Sequence, residues 1–174
     1  MKILDFPHAS QTYEYDCGPT VLQGILTYYG AEVRKEKIFK WARTNTRHGT
    51  LTKGMLKVLD RFSLEYDSRL MTIGDIKEYI DKDIPVILLL QAWNEKDQLY
   101  TDRFDDSHWV TAIGYNEDTI LFEDPYAFAR VYLKQSELVK RWHGREGRKR
   151  ILQHGIAVYG KDPAYQSQRV IHMD

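Results

Sequence analysis

The sequence predicts an α+β fold in which an N-terminal helical lobe packs on a C-terminal antiparallel sheet. Two observations carry this. Between Pro19 and Asp83 apolar residues recur at helical spacing, and after Ile84 the chain turns to β-branched runs separated by turn residues. Helices followed by strands, rather than the two alternating, is the layout of an α+β domain. A third observation bounds the prediction. The 174 residues contain no internal repeat, low-complexity tract or Pro/Gly/Ser-rich linker, and a chain of that length buries about two-thirds of the surface its unfolded form exposes. One domain over residues 1–174 is expected, with the stretch after Lys161, DPAYQSQRVIHMD, read as a polar and mobile tail.

Pro19 opens the first helix, because the N–H it lacks has no intrahelical partner there, and Gly30 stops it after LTYY. Between them Val21, Leu22, Ile25 and Leu26, then Tyr28 or Tyr29, fall on one face, which makes a buried helix of about three turns. A second helix spans Arg34 to Ala42. A third runs from Thr52 to about Phe62, with Met55, Leu56, Val58 and Leu59 on its apolar side. A fourth starts at the cap Thr72, with Asp75 three residues on as a short relative of the capping box, and runs to about Asp81. IPVILLLQ, from Ile84, is unbroken and rich in β-branched residues, so it reads as a strand buried on both faces. After the polar loop NEKDQLYTDRFDDS come HWVTAIGY, the turn NEDT and ILFEDP, a hairpin signature. RVYL and HGIAVYG are two more strands, with a helix from about Ser136 to Trp142 between them.

Composition narrows the function. With 25 basic and 25 acidic side chains the formal charge is zero, so no overall field draws the chain to nucleic acid or an anionic membrane. One cysteine cannot form an internal disulfide, which suits a reducing compartment. MKILDFPHAS has no apolar signal-peptide core, and the longest apolar run, IPVILLL, is far short of the roughly 20 residues a membrane span needs. These features predict a cytoplasmic protein with no membrane span and no nucleic-acid partner.

A single cysteine is most often a small buried hydrophobe. Cys17 stands apart because it lies directly before Gly18 and Pro19, at a helix start, where unpaired N–H groups and the helix dipole stabilise an anion. A working thiolate also needs an imidazole to hold the proton and return it to a leaving group. Among the six histidines His108 opens an apolar strand, where a side chain is held rigidly at a sheet edge. Across the turn at Asn116 to Thr119 paired residues have indices summing to roughly 233 to 235, which sets His108 beside Asp124 at the end of the returning strand. A carboxylate there orients the ring and fixes its tautomer. Gln11, in the loop leading to Cys17, offers an amide that with the Cys17 backbone N–H supplies two oxyanion donors.

Other features compete. DDSH, Asp105 to His108, offers two carboxylates and an imidazole, but no second His or Cys falls in register with them as zinc sites require. The two aspartates read better as a solvated loop beside the site. KRWHGREGRKR, Lys140 to Arg150, holds six basic residues and one acid, with Trp142 as a stacking surface. A solvated helix end and loop is the simpler reading. Trp93 and Trp109 flank the sheet region expected to face a cleft, although tryptophan is more often core.

The order Gln, five residues, Cys-Gly at a helix start, a distant His opening a strand, and Asp-Pro after the next strand resembles the papain-like C39 peptidases. QTYEYDCGPTVLQGILTYYG is similar to their Gln-to-Cys-Gly segment with its following YYG, and HWVTAIGY with ILFEDP to their His and Asp segments. The resemblance covers roughly Gln11 to Leu133. It implies a papain-like fold, a helical lobe carrying Cys17, a sheet lobe carrying His108 and Asp124, Gln11 as oxyanion donor, a peptide or protein substrate, and no cofactor or metal. Members of that family sit at the N-terminus of transporters and trim leader peptides after Gly-Gly. This sequence shows no GxxxxGK loop followed by Ser or Thr, and Pro19 follows its Cys-Gly, as in stand-alone relatives. The expectation is therefore a stand-alone cysteine peptidase acting through a thioester. An acyltransferase or deamidase of the same fold, and a non-catalytic peptide-binding module, are the alternatives.

Overall fold

A computed structural model of the chain describes residues 1–93 and 99–173; NEKDQ of the expected polar loop lies outside the described residues. In chain order the elements are β1 (Lys2–Ile3), α1 (Cys17–Tyr28), α2 (Lys35–Ala42), α3 (Thr52–Arg61), β2 (Glu65–Leu70), α4 (Ile73–Asp81), β3 (Val86–Gln91), β4 (Ser107–Tyr115), β5 (Thr119–Glu123), β6 (Val131–Lys134), α5 (Gln135–Arg141), β7 (His143–Glu146), β8 (Lys149–Leu152) and β9 (His154–Tyr159). A seven-stranded sheet runs β2-β9-β3-β4-β5-β6, with β1 also paired to β4. Its pairings are antiparallel. The helices α1 to α3 form one layer, and α1 lies across β4. Helical lobe on antiparallel sheet is the predicted α+β class.

Packing explains the order of this arrangement. Leu22, Ile25 and Leu26 of α1 have no exposed surface, and every residue of β3 is buried, as a strand covered on both faces must be. At the end of α1, Gly30 takes a φ of +84°, Ala31 N–H donates to the Leu26 carbonyl at 2.8 Å and Gly30 N–H to Thr27 at 3.0 Å. That pair of bonds satisfies carbonyls the last turn leaves open. At the start of α4 the box is complete: Asp75 N–H donates to Thr72 Oγ1 at 3.1 Å and Thr72 N–H to Asp75 Oδ2 at 2.7 Å.

Several boundaries differ from the sequence reading. Helix α1 begins at Cys17, two residues before Pro19. As the third helical residue Pro19 still falls among the first four, whose N–H groups have no intrahelical partner, so its chemistry fits either start. Four strands are additional. β2 is partly exposed along its length and has no apolar run, so its pairing along β9 supplies an order that its own sequence, EYDSRL, does not announce. β1 is two residues long. The basic stretch expected as a helix end and loop is largely a hairpin, β7 to β8, turning at Gly147 with a φ of +60°. Trp142 before it is buried and donates Nε1–H to the His154 carbonyl at 2.9 Å, so it offers no stacking surface. Beyond β9, Ala164 N–H and Tyr165 N–H both donate to the Tyr28 carbonyl, and Lys161 Nζ donates to the Phe62 carbonyl.

Candidate active site

Cys17 occupies the first turn of α1 and is 6% exposed. The turn can approach its neighbours because residue 18 is glycine: a Cβ there would stand 2.4 Å from Thr50 Oγ1. The loop leading in is organised by Asp16, a residue the sequence reading passed over. Its buried carboxylate turns back from the helix, accepts Tyr13 N–H at 3.1 Å and Thr12 N–H at 3.1 Å, and lies 3.3 Å from Lys35 Nζ. A buried charge needs such partners.

Gln11 is held where this loop meets the sheet. Its N–H donates to the Pro125 carbonyl at 2.8 Å. The segment before it is fastened to β5 through buried Glu123, which accepts His8 Nδ1–H at 3.0 Å and Arg130 Nε–H at 2.7 Å. Gln11 Nε2 donates to the Tyr13 carbonyl at 3.0 Å, and Oε1 is buried with no hydrogen-bond partner among the described residues. A primary amide has two N–H groups, so one remains beyond the Tyr13 contact.

His108 is the second residue of β4 and Asp124 follows β5. The hairpin register has Thr111 opposite Glu123 and Ala112 opposite Phe122, with a bulge before Gly114 opposite Leu121. That register carries His108 to Asp124: Nε2–H donates to Oδ1 at 2.6 Å. With Nε2 engaged, Nδ1 is the ring nitrogen left for the Cys17 thiol. Burial by itself would depress the His108 imidazolium, but hydrogen bonds with Asp124 and Cys17 and their charges outweigh it and raise its pKa to about 10. Asp124 is pulled the other way. Burial opposes its ionisation, yet His108, the Tyr126 N–H and the Trp93 indole all bond the charged form, and its pKa is lowered. Cys17, His108 and Asp124 are thus brought together, with Gln11 at the mouth of the same site.

Two troughs meet here. One, of about 660 Å³, is lined by Cys17 with Arg47, Gly49 and Thr50 on the helical side and Trp109 and Arg145 on the sheet side. The other, of about 510 Å³, is lined by His108, Gln11, Trp93, Tyr126, Arg103 and Asp106. Glu14, Asp105 and Ser107 border both. Of the two tryptophans, Trp109 is core and donates to the Thr50 carbonyl at 2.9 Å, whereas Trp93 is 47% exposed. The aspartates of DDSH pair with arginines, Asp105 with Arg145 and Asp106 with Arg103 at 3.7 Å. Among the described residues no group of three or more His, Cys, Asp or Glu is arranged to hold a metal ion. Nor is any described helix long and apolar enough to cross a membrane.

The sequence profile of the Peptidase_C39 like family matches residues 3–149. The Lactococcin-G-processing and transport ATP-binding protein LagD of Lactococcus lactis subsp. lactis is 29% identical over 134 residues, 77% of this chain. The chain spans 17% of that relative's length. A protein described as a C39-like peptidase from Bacillus anthracis superposes with a TM-score of 0.71 at 16% identity, over 94% of this chain and 100% of its own. A double glycine motif protease from an AMS/PCAT transporter, solved in complex with the leader peptide, gives 0.67 at 16% identity over 94% and 95%. The peptidase domain of Streptococcus ComA gives 0.65 at 17% identity over 92% and 98%. At such identities the likeness to these structures is one of fold.

Proposed function

The chain belongs to the Peptidase_C39 like family and has its papain-like fold, and from that premise we propose that residues 1–174 act as a cysteine peptidase on a peptide or protein substrate. The observation that carries the proposal is the 2.6 Å hydrogen bond by which the buried Asp124 carboxylate holds the His108 ring, whose pKa the one thiol of the chain, Cys17, also raises. In the reaction, His108 Nδ1 holds the proton that Cys17 has given up, and the thiolate attacks the scissile carbonyl carbon, forming a C–S bond and an oxyanion. The Cys17 N–H and a Gln11 N–H receive that oxyanion. Collapse breaks the C–N bond, and His108 gives its proton to the departing amine. Water then passes a proton to His108 and attacks the thioester; the C–S bond breaks and the proton returns to sulfur. Asp124 holds the ring in the tautomer this requires.

The same chemistry orients the substrate. The acyl half stays on Cys17, so residues before the scissile bond lie in the trough of Arg47, Thr50 and Trp109. The amine leaves on the side that protonates it, so residues after the bond lie in the trough of His108, Trp93 and Tyr126.

A peptide-library digest read by mass spectrometry tests the proposal. The protein is expected to release new N-termini and to carry a transient acyl mass on Cys17. Gln11→Ala is expected to slow product formation by about 10²–10³-fold, chiefly in kcat, as loss of one oxyanion donor does. Release at the wild-type rate by that variant removes Gln11 from the mechanism.

A further inference from the structure

Trp93 lies two residues beyond β3 with a φ of +58°, in the left-handed region that bulky side chains rarely enter. Such an outlier persists where surrounding contacts over-determine it, and it points to a role for the contact it secures. Here the contact is with Asp124: Trp93 Nε1–H donates to Oδ2 at 2.8 Å. The indole also packs on Tyr126, with ring centroids 4.9 Å apart and planes at 31°, and Tyr126 N–H donates to Asp124 Oδ1 at 2.9 Å. The two carboxylate oxygens are therefore held differently. Oδ1 takes His108 and the Tyr126 backbone, whereas Oδ2 takes Trp93 alone among the described residues. Asp124 is 3% exposed, so an Oδ2 without the indole would be a buried, unsatisfied anion. The carboxylate would turn to find another donor and carry Oδ1 off the ring.

We propose that Trp93 is a positioning residue for the reaction, its indole N–H fixing the Asp124 carboxylate in the orientation that holds His108 toward Cys17. The inference rests on the peptidase reading for its meaning but not for its test. Trp93→Phe keeps a ring against Tyr126 and removes only the donor. The His108 ring titration, followed by NMR, is expected to fall by about 1 pH unit in this variant, the scale set by one hydrogen bond to a charged group. In an Asp124→Ala background Trp93→Phe is expected to leave the titration where Asp124→Ala alone puts it, because the indole acts only through that carboxylate. The other charged groups around the ring, Glu14, Arg103, Asp105 and Asp106 in the trough and Cys17 on α1, are common to all four proteins. A second measurement needs no substitution: in the unaltered chain the Trp93 indole N–H resonance should move as His108 titrates. An unmoved His108 titration in Trp93→Phe, an equal shift in both backgrounds, or an indole resonance indifferent to His108 each overturns the proposal. None of these readouts uses a substrate, so they succeed or fail independently of whether the wild-type protein cleaves peptides.

Discussion

Cys17→Ala is expected to abolish peptide cleavage, by on the order of 10⁴-fold or more in kcat, with the fold retained. In the proposed reaction the sulfur is the atom to which the acyl group is transferred, and no second thiol exists in the chain to replace it. The substitution is also mild structurally. Cys17 lies in the first turn of a helix whose burial rests on Leu22, Ile25 and Leu26 farther along, and alanine is the best helix former at such a position. Thermal unfolding of the variant should therefore stay within a few degrees of wild type while product release in the library digest disappears. Cleavage that survives the substitution would assign the chemistry elsewhere.

His108→Ala is expected to cost about 10³–10⁴-fold, because in the proposed reaction it removes both the base that takes the thiol proton and the acid that protonates the leaving amine. It also leaves Asp124 with only Trp93 and the Tyr126 backbone as donors among the described residues, in a buried site. The pH dependence follows from the raised His108 pKa of about 10. A group whose pKa is higher in the folded state than its ordinary 6.5 stabilises the fold fully below 6.5 and loses that contribution as pH rises through about 10. Activity that depends on the imidazolium should fall over the same alkaline range. Profiles of kcat/KM and of thermal stability from pH 6 to 11 are expected to share that alkaline limb in the wild type, and the stability difference from His108→Ala should narrow across it. A wild-type activity lost near the ordinary histidine value would contradict the raised pKa.

Much of this arrangement was legible in the sequence because it depends on local chemistry. Thr72 and Asp75 form the expected capping box, Gly30 ends α1, and the turn at Asn116 to Thr119 sets a register that brings His108 to Asp124. What the sequence did not disclose depends on partners distant in the chain. EYDSRL becomes a strand only along β9, and the basic segment after α5 becomes a hairpin packed beside β3 and β4. Asp16 adjoins Cys17, yet its inward turn toward Lys35 requires the helix α2 to be in place. Trp93 stood out only as an aromatic near a cleft. Its hydrogen bond to Asp124 joins the end of β3 to the end of β5 and depends on a backbone angle that no residue pattern announces.

The central claim is that Cys17 is a nucleophile activated by His108, and its rate of alkylation tests that claim most directly. At about pH 6, where a free cysteine is almost wholly protonated, Cys17 should react with iodoacetate much faster than free cysteine does, and His108→Ala should bring it down to the free-thiol rate. A Cys17 that reacts no faster than free cysteine, or whose rate is indifferent to His108, would contradict the account.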